Sequence, residues 1–246
     1  MSKKKLGILV IHGFSSKPSG YKRLTERIET LNLPWDLPTL RGHDTTPEDL
    51  TGIHWREWVE DGEKALHDLL EKVEKVIVIG HSMGGWIAMQ LSLTHKEAID
   101  SVIIAGSSTR IVSPFGPGNP LHFLAPLMVL VKSKWEMLPV FADPEFMVYG
   151  NGYDWVPTKT WFNVFDFMEA MEADLPKVTV PILILHGRND TLNSPKGAEL
   201  LYNRISTPEA QKRLVWFEKT DHDIFNDCEW EAVIDTIENY IEERLA

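Results

Sequence analysis

The chain predicts an α/β domain built on a mostly parallel sheet, and three observations predict it. Short, wholly apolar runs alternate with longer amphipathic ones, most of the short runs are rich in β-branched residues, and most end at Gly, His or an acid. A strand that is apolar throughout is buried on both faces, which requires helices on either side of a parallel sheet. At 246 residues the chain is long enough for one α/β domain with an insertion, or for two small domains.

The elements follow in order. Leu6–Ile11 is the first strand, closed by His12-Gly13, and the amphipathic stretch Gly20–Leu31 is the first helix. A short strand lies near Trp35–Pro38, and a long amphipathic helix spans His54–Lys72. The run Val76–Ile79 is a strand, Ser82–Leu93 a helix and Val102–Ala105 a strand. After a break come the strand Ile182–Leu185, the helix Pro195–Ile205, the strand Leu214–Phe217 and the helix Trp230–Leu245. That makes about six strands, whose carboxyl ends are where functional side chains belong.

The break runs from 107 to 175, with five prolines by Pro139 and no run that matches the sheet. It holds 12 of the chain's 24 aromatic residues: Phe115, Phe123, Trp135, Phe141, Phe146, Tyr149, Tyr153, Trp155, Trp161, Phe162, Phe165 and Phe167. An insertion this apolar either packs as a small helical cap over the strand ends or forms a dimer surface. The cap reading divides the chain into a core of 1–106 and 176–246 with a cap at 107–175. Leu121, Phe123, Leu124, Leu127, Met128 and Trp161 are candidates for its substrate-facing wall, although each equally fits a role as glue to the core.

The net charge of -11 (36 acidic against 25 basic residues) argues against nucleic acid or an anionic membrane as partner. Cys228 is the only cysteine, so no intrachain disulfide forms, and a cytoplasmic, reducing location is expected. The opening Met1-Ser2-Lys3-Lys4-Lys5 is basic, but the apolar run behind it ends at His12, which suits a strand better than an export signal. No run approaches the roughly 20 apolar residues of a membrane span, and stable membrane insertion is not expected. Walker-type loops, His-Glu-x-x-His and paired cysteines are all missing, so neither cofactor nor metal is implied. A monomer or homodimer acting on a small molecule is the expectation.

Gly80-His81-Ser82-Met83-Gly84 carries the chemistry. A Gly-x-Ser-x-Gly motif between a strand and a helix makes a turn so sharp that the serine hydroxyl is thrust out at the top of the sheet. Serine is a poor nucleophile unless a base, itself oriented by a third group, lies within hydrogen-bond reach. In enzymes that carry their nucleophile on this kind of turn, the partners follow in the order Ser, acid, His. His222, in Thr220-Asp221-His222-Asp223, is the only histidine beyond the last strand. For the acid, the strand ending at Ala105 is followed by Gly106-Ser107-Ser108-Thr109, without a carboxylate, whereas the strand ending near His186 leads through Gly187-Arg188-Asn189 to Asp190. Asp221 and Asp223 adjoin His222 and should point elsewhere, while still perturbing its pKa. Oxyanion donors are expected from Met83 N–H, unpaired at the start of its helix, and from Phe14 N–H in His12-Gly13-Phe14-Ser15-Ser16. His12 should be structural.

Together with the Arg41-Gly42-His43 turn, these motifs resemble serine carboxylesterases of the α/β-hydrolase superfamily. Small bacterial carboxylesterases and monoacylglycerol lipases are especially similar, down to Trp58 and Asp61 in the helix before the nucleophile strand. The resemblance implies the α/β-hydrolase fold without its first two strands, and ester hydrolysis through an acyl-enzyme on Ser82, with His222 as base and Asp190 as its partner. It implies esters of short to medium acyl chain, or monoacylglycerols, as substrates. One departure is Thr220-Asp221-His222 where such enzymes usually have Ser-Gly-His, which stiffens the loop and makes its surroundings more acidic. Thioester, amide or carbon–carbon hydrolysis on the same residues is the alternative, with Arg188 or Arg110 to hold a carboxylate. A non-catalytic ligand receptor is a third reading.

Overall fold

In the computed structural model of the chain, residues 3–149 and 152–246 are described; Met1, Ser2, Gly150, Asn151 and the side chain of Tyr149 lie outside the description. The order of elements is β1 (Lys4–Ile11), α1 (Lys22–Thr30), β2 (Trp35–Asp36), α2 (Trp55–Leu70), β3 (Val73–His81), α3 (Met83–Thr94) and β4 (Ile99–Ala105). Then follow α4 (Ala125–Val131), β5 (Lys134–Glu136), β6 (Trp155–Pro157), α5 (Thr160–Asp174), β7 (Ile182–Gly187), α6 (Pro195–Arg204), β8 (Lys212–Phe217) and α7 (Trp230–Leu245). Six strands form one wholly parallel sheet in the order β2-β1-β3-β4-β7-β8.

The pleat sorts the apolar runs into two cores. Leu9, Ile11, Val76, Val78, Val102, Ile104, Ile182 and Ile184 face one side, with α2, α3 and α5. Leu6, Ile8, Val10, Ile77, Ile79, Ile103, Leu183 and Leu185 face the other, with α1 and α7. Because side chains alternate with a period of two, a strand can be apolar at every position only if both faces are covered, as here. Helix α3 is apolar on all sides because it lies between the sheet and the helices α2 and α5. Phe167 of α5 stacks on Trp55 of α2 (centroids 4.6 Å apart, planes 6° apart) and meets Trp86 of α3 edge-on at 5.7 Å.

Several boundaries differ from the sequence reading, each for a local reason. The strand foreseen over Val76–Ile79 runs from Val73 to His81, since pairing with β1 and β4 carries it through polar ends. The strand near Trp35 stops at Asp36, whose carboxylate takes the N–H of Leu37 at 2.9 Å in place of a ladder partner. The first helix is preceded by a 3-10 turn over Pro18–Tyr21. Helix α2 is opened by His54: its Nδ1 accepts from Arg56 N–H (3.2 Å), while Glu57 accepts from His54 N–H (2.8 Å), a capping box with an imidazole in place of a hydroxyl.

Between β4 and β7 the chain is not purely helical. Besides α4 and α5 it holds an antiparallel pair, β5 and β6, in which Trp135 faces Val156. This pair is separate from the main sheet.

Candidate active site

The turn from β3 into α3 puts Ser82 at the carboxyl end of the sheet with φ 52° and ψ -117°, a conformation that L-residues adopt only under constraint. The constraint is close packing of backbone. A Cβ at Gly80 would come within 2.2 Å of the Gly84 carbonyl, and one at Gly84 within 2.2 Å of the Ile11 carbonyl. Ser82 N–H is held by the Ala105 carbonyl (2.8 Å), and its own carbonyl accepts from Ser107 Oγ (2.7 Å).

Three side chains from three loops meet there. Ser82 Oγ lies 3.0 Å from His222 Nε2, and His222 Nδ1 lies 2.9 Å from Asp190 Oδ2. The other oxygen of Asp190 accepts from the N–H groups of Leu192 (2.9 Å) and Asn193 (2.6 Å). His186 Nε2 approaches the same carboxylate at 3.4 Å and donates to the Asn193 carbonyl at 3.1 Å. Burial alone would raise the Asp190 pKa, but His222 and the hydrogen bonds outweigh it and hold the carboxyl below its ordinary value. Burial likewise disfavours the His222 cation, yet Asp190, then Asp223 and Asp221, push the imidazole above its ordinary pKa.

No described hydrogen bond engages the N–H of Phe14 or of Met83, the two groups expected to face an oxyanion. The Phe14 loop is fixed from below. Gly13 N–H donates to Tyr21 Oη (2.8 Å), which lies 2.8 Å from His81 Nδ1, while His81 Nε2 lies 3.0 Å from the His222 carbonyl. A carbonyl can only accept, so Nε2 carries the proton and Nδ1 takes the Tyr21 hydroxyl. Burial lowers His81 to about 3, and the ring stays neutral, as this pattern needs. His12 is structural: its Nε2 accepts from Leu40 N–H at 3.1 Å, and burial lowers its pKa to about 3. Burial also lowers His43, beside it, to about 4.

Neither acid flanking His222 has a described hydrogen bond to its ring, and one of them braces its loop. Asp221 accepts from His222 N–H (2.7 Å), Thr191 N–H (2.7 Å) and the Thr191 hydroxyl (2.9 Å), tying the His222 loop to the Asp190 loop. Asp223 lines the cleft and is bound by Asn226 Nδ2 (3.0 Å); burial raises its carboxyl to about 6. Asp227, fully buried, was not among the residues foreseen. It accepts from Asp221 N–H (2.7 Å), Cys228 N–H (2.8 Å), Ala142 N–H (2.9 Å) and Asp143 N–H (3.4 Å). With Asp223 N–H bonded to the Val140 carbonyl (3.1 Å), it straps the stretch 140–143 to the His222 loop. On the opposite rim, Tyr153 N–H donates to the Ser15 carbonyl at 3.0 Å.

Above Ser82 lies a cleft of about 280 Å³, lined by Phe14, Met83, Trp86, Ile111, Val164 and the extended run Met137–Phe141 among others. Of the wall candidates from the 107–175 stretch, only Trp161 reaches it. Phe123 (73 % exposed) and Leu121 (39 %), in the turn before α4, face outward, as does Leu127 (53 %) on α4, which turns only Ala125 fully into the core. Leu124, half-buried, is also outside the cleft. Met128 lines a second, apolar cavity of about 110 Å³ with Phe115, Phe162 and Phe165. Trp161, Ile111 and Leu192 border both cavities. The roof at 137–141 carried no periodicity by which the sequence could reveal it.

A family model described as serine aminopeptidase, S33, matches residues 2–229 of the chain. A thermostable monoacylglycerol lipase of Bacillus sp. (strain H-257) is 25% identical over 215 residues, 84% of this chain and 79% of that protein. A carboxylesterase of Bacillus subtilis (strain 168) is 20% identical over 238 residues, 96% of this chain and 92% of that protein. A solved structure from work on LipS and LipT, two metagenome-derived lipolytic enzymes, superposes with a TM-score of 0.84 at 23% identity, covering 98% of this chain and 95% of that one.

Proposed function

The chain belongs to the serine aminopeptidase S33 family of α/β hydrolases, and from that premise we propose that it is a serine carboxylesterase acting through an acyl-enzyme on Ser82. The observation that carries this reading is the unbroken hydrogen-bonded chain from Ser82 Oγ through His222 to Asp190 at the floor of a largely apolar cleft. His222 takes the Ser82 proton as the hydroxyl attacks the acyl carbonyl, while Asp190 holds Nδ1–H and so leaves Nε2 free to accept. Phe14 and Met83 N–H groups stabilise the oxyanion, a contribution of about 10²–10³ in rate per donor. His222 then protonates the leaving alcohol and activates the water that frees the acid.

The stretch 107–175 acts as the cap in this reading, supported by its contribution of Ile111, Met137–Phe141 and Trp161 to the cleft. A volume of about 280 Å³, near the lower end of the roughly 300–1,000 Å³ of small-molecule sites, favours short to medium acyl chains, small monoacylglycerols included. Carbon–carbon hydrolysis loses its motive: Arg110 is bound by Glu172, Arg188 lies over Trp216 between Glu199 and Glu218, and neither lines the cleft. A complete Ser-His-Asp chain likewise gives the receptor reading no support. No helix among the described residues is long and apolar enough to cross a membrane, and with Cys228 as the only cysteine we assign the protein to the cytoplasm.

The test is hydrolysis of p-nitrophenyl esters from acetate to palmitate, of monoacylglycerols, and of amino-acid p-nitroanilides, each beside Ser82→Ala. A maximum at short to medium chains, abolished in the variant, is expected. Turnover that survives Ser82→Ala, or p-nitroanilides cleaved in preference to esters, would overturn the proposal.

A further inference from the structure

Far from the cleft, three potential metal ligands converge. Glu63 and His67 lie one turn apart on α2, and His95 ends α3. One ligand atom from each can be chosen so that all lie within 4.8 Å of one another. His95 Nε2 is 2.6 Å from Glu63 Oε1, and the His67 and His95 rings are perpendicular with centroids 5.1 Å apart. The His95–Glu63 hydrogen bond accounts for two of the three. It leaves His67, which makes no described hydrogen bond and is exposed, yet points its ring at the same place.

We propose that Glu63, His67 and His95 form a binding site for a divalent transition-metal ion of the Zn²⁺, Ni²⁺ or Cu²⁺ type. Two imidazoles and one carboxylate suit these borderline ions, whereas Mg²⁺ and Ca²⁺ favour oxygen ligands. Three protein ligands leave a position for water on the exposed side. Two electrostatic features add to the donor set. The carbonyl end of α3, where His95 N–H bonds the Leu91 carbonyl, is the negative pole of that helix, and the whole chain carries a net charge of -11.

The 12 residues of α3 span roughly 18 Å, which separates this site from Ser82. The ion is therefore a staple that joins the C-terminal half of α2 to the end of the nucleophile helix, and takes no part in the chemistry.

The experiment is isothermal titration of chelator-treated protein with ZnCl₂ and NiCl₂, with MgCl₂ as control, on the native chain and on His67→Ala, His95→Gln and Glu63→Gln. Native protein should take up one Zn²⁺, and each variant should bind at least tenfold more weakly with ester turnover unchanged. Zinc at a hundredfold over the native Kd should raise the thermal midpoint by roughly 5–10 °C in the native protein, and by about half of that or less in each variant. No Zn²⁺ uptake, uptake undiminished in His67→Ala, or Mg²⁺ bound as tightly as Zn²⁺ would each overturn the assignment. His67 is exposed, so its variant should fold whatever the outcome.

Discussion

Replacing Asp190 by Asn tests the chemistry of the cleft by moving a proton and almost nothing else. The Asp190 oxygen that accepts from Leu192 and Asn193 N–H at 2.9 and 2.6 Å is held by two backbone donors. An asparagine keeps those bonds only with its carbonyl oxygen in that position, which turns its NH₂ toward His222 Nδ1. His222 must then accept at Nδ1 and carry its proton on Nε2, 3.0 Å from Ser82 Oγ. In that tautomer the imidazole no longer accepts the serine proton. The same exchange in a Ser-His-Asp protease lowers kcat by about 10⁴, or about 5 kcal/mol at about 1.4 kcal/mol per decade. Initial rates on p-nitrophenyl butyrate, with the thermal midpoint as a check on folding, measure it. A folded Asp190→Asn variant within tenfold of the native kcat would refute the tautomer reasoning.

Three further outcomes follow from the same geometry. Asp223 helps to hold His222 above its ordinary pKa, so Asp223→Asn should move the acid limb of kcat/KM to lower pH. A limb that stays in place or moves upward in a pH 5–9 profile would contradict this. Trp161 stands between the cleft and the side cavity of about 110 Å³. Trp161→Ala should join them and shift the best p-nitrophenyl ester toward longer chains, whereas an unchanged chain-length profile would show that the wall lies elsewhere. His12, His43 and His81 are buried with pKa values lowered to about 3, 4 and 3. Above pH 6.5 neither state protonates them, but below it the unfolded chain binds protons that the fold refuses. Each should therefore cost on the order of 1 kcal/mol per pH unit as pH falls from 6.5 toward 4. His222 and Asp223, both raised, work the other way. The net expectation is a marked drop in the urea midpoint between pH 7 and pH 5, and equal midpoints would refute it.

What could be foreseen and what could not divides along the range of the interactions involved. Val76–Ile79 and Ile182–Leu185 declared themselves as strands because burial on both faces writes a continuous apolar run. The Ser82 turn was legible because glycine is the only residue that its crossing backbones admit. Asp227 was invisible: a carboxylate collecting backbone N–H groups from 142, 143, 221 and 228 imposes no pattern on any of those residues. The cleft roof at Met137–Phe141 is irregular backbone, with neither a period of two nor of 3.6 to detect. For α4, composition misled. Its Leu127 and Val131 are as apolar as core residues but face outward, and nothing short of the packed structure says which side of a seven-residue helix is covered.

The Asp227 carboxylate has a thermodynamic consequence. Lifting the stretch 140–143 away from the His222 loop would strip the buried Asp227 carboxyl of its Ala142 and Asp143 donors, at roughly 1–3 kcal/mol for the group left unpaired. The stretch 140–143 and the His222 loop are thus coupled, and such coupling is reciprocal: under the proposed mechanism, a substrate held against 140–143 steadies His222, and an ordered His222 loop steadies 140–143. Under that mechanism, discrimination between acyl chains should surface in turnover as well as in binding, because a poorly filled cleft weakens the alignment of His222 with Ser82.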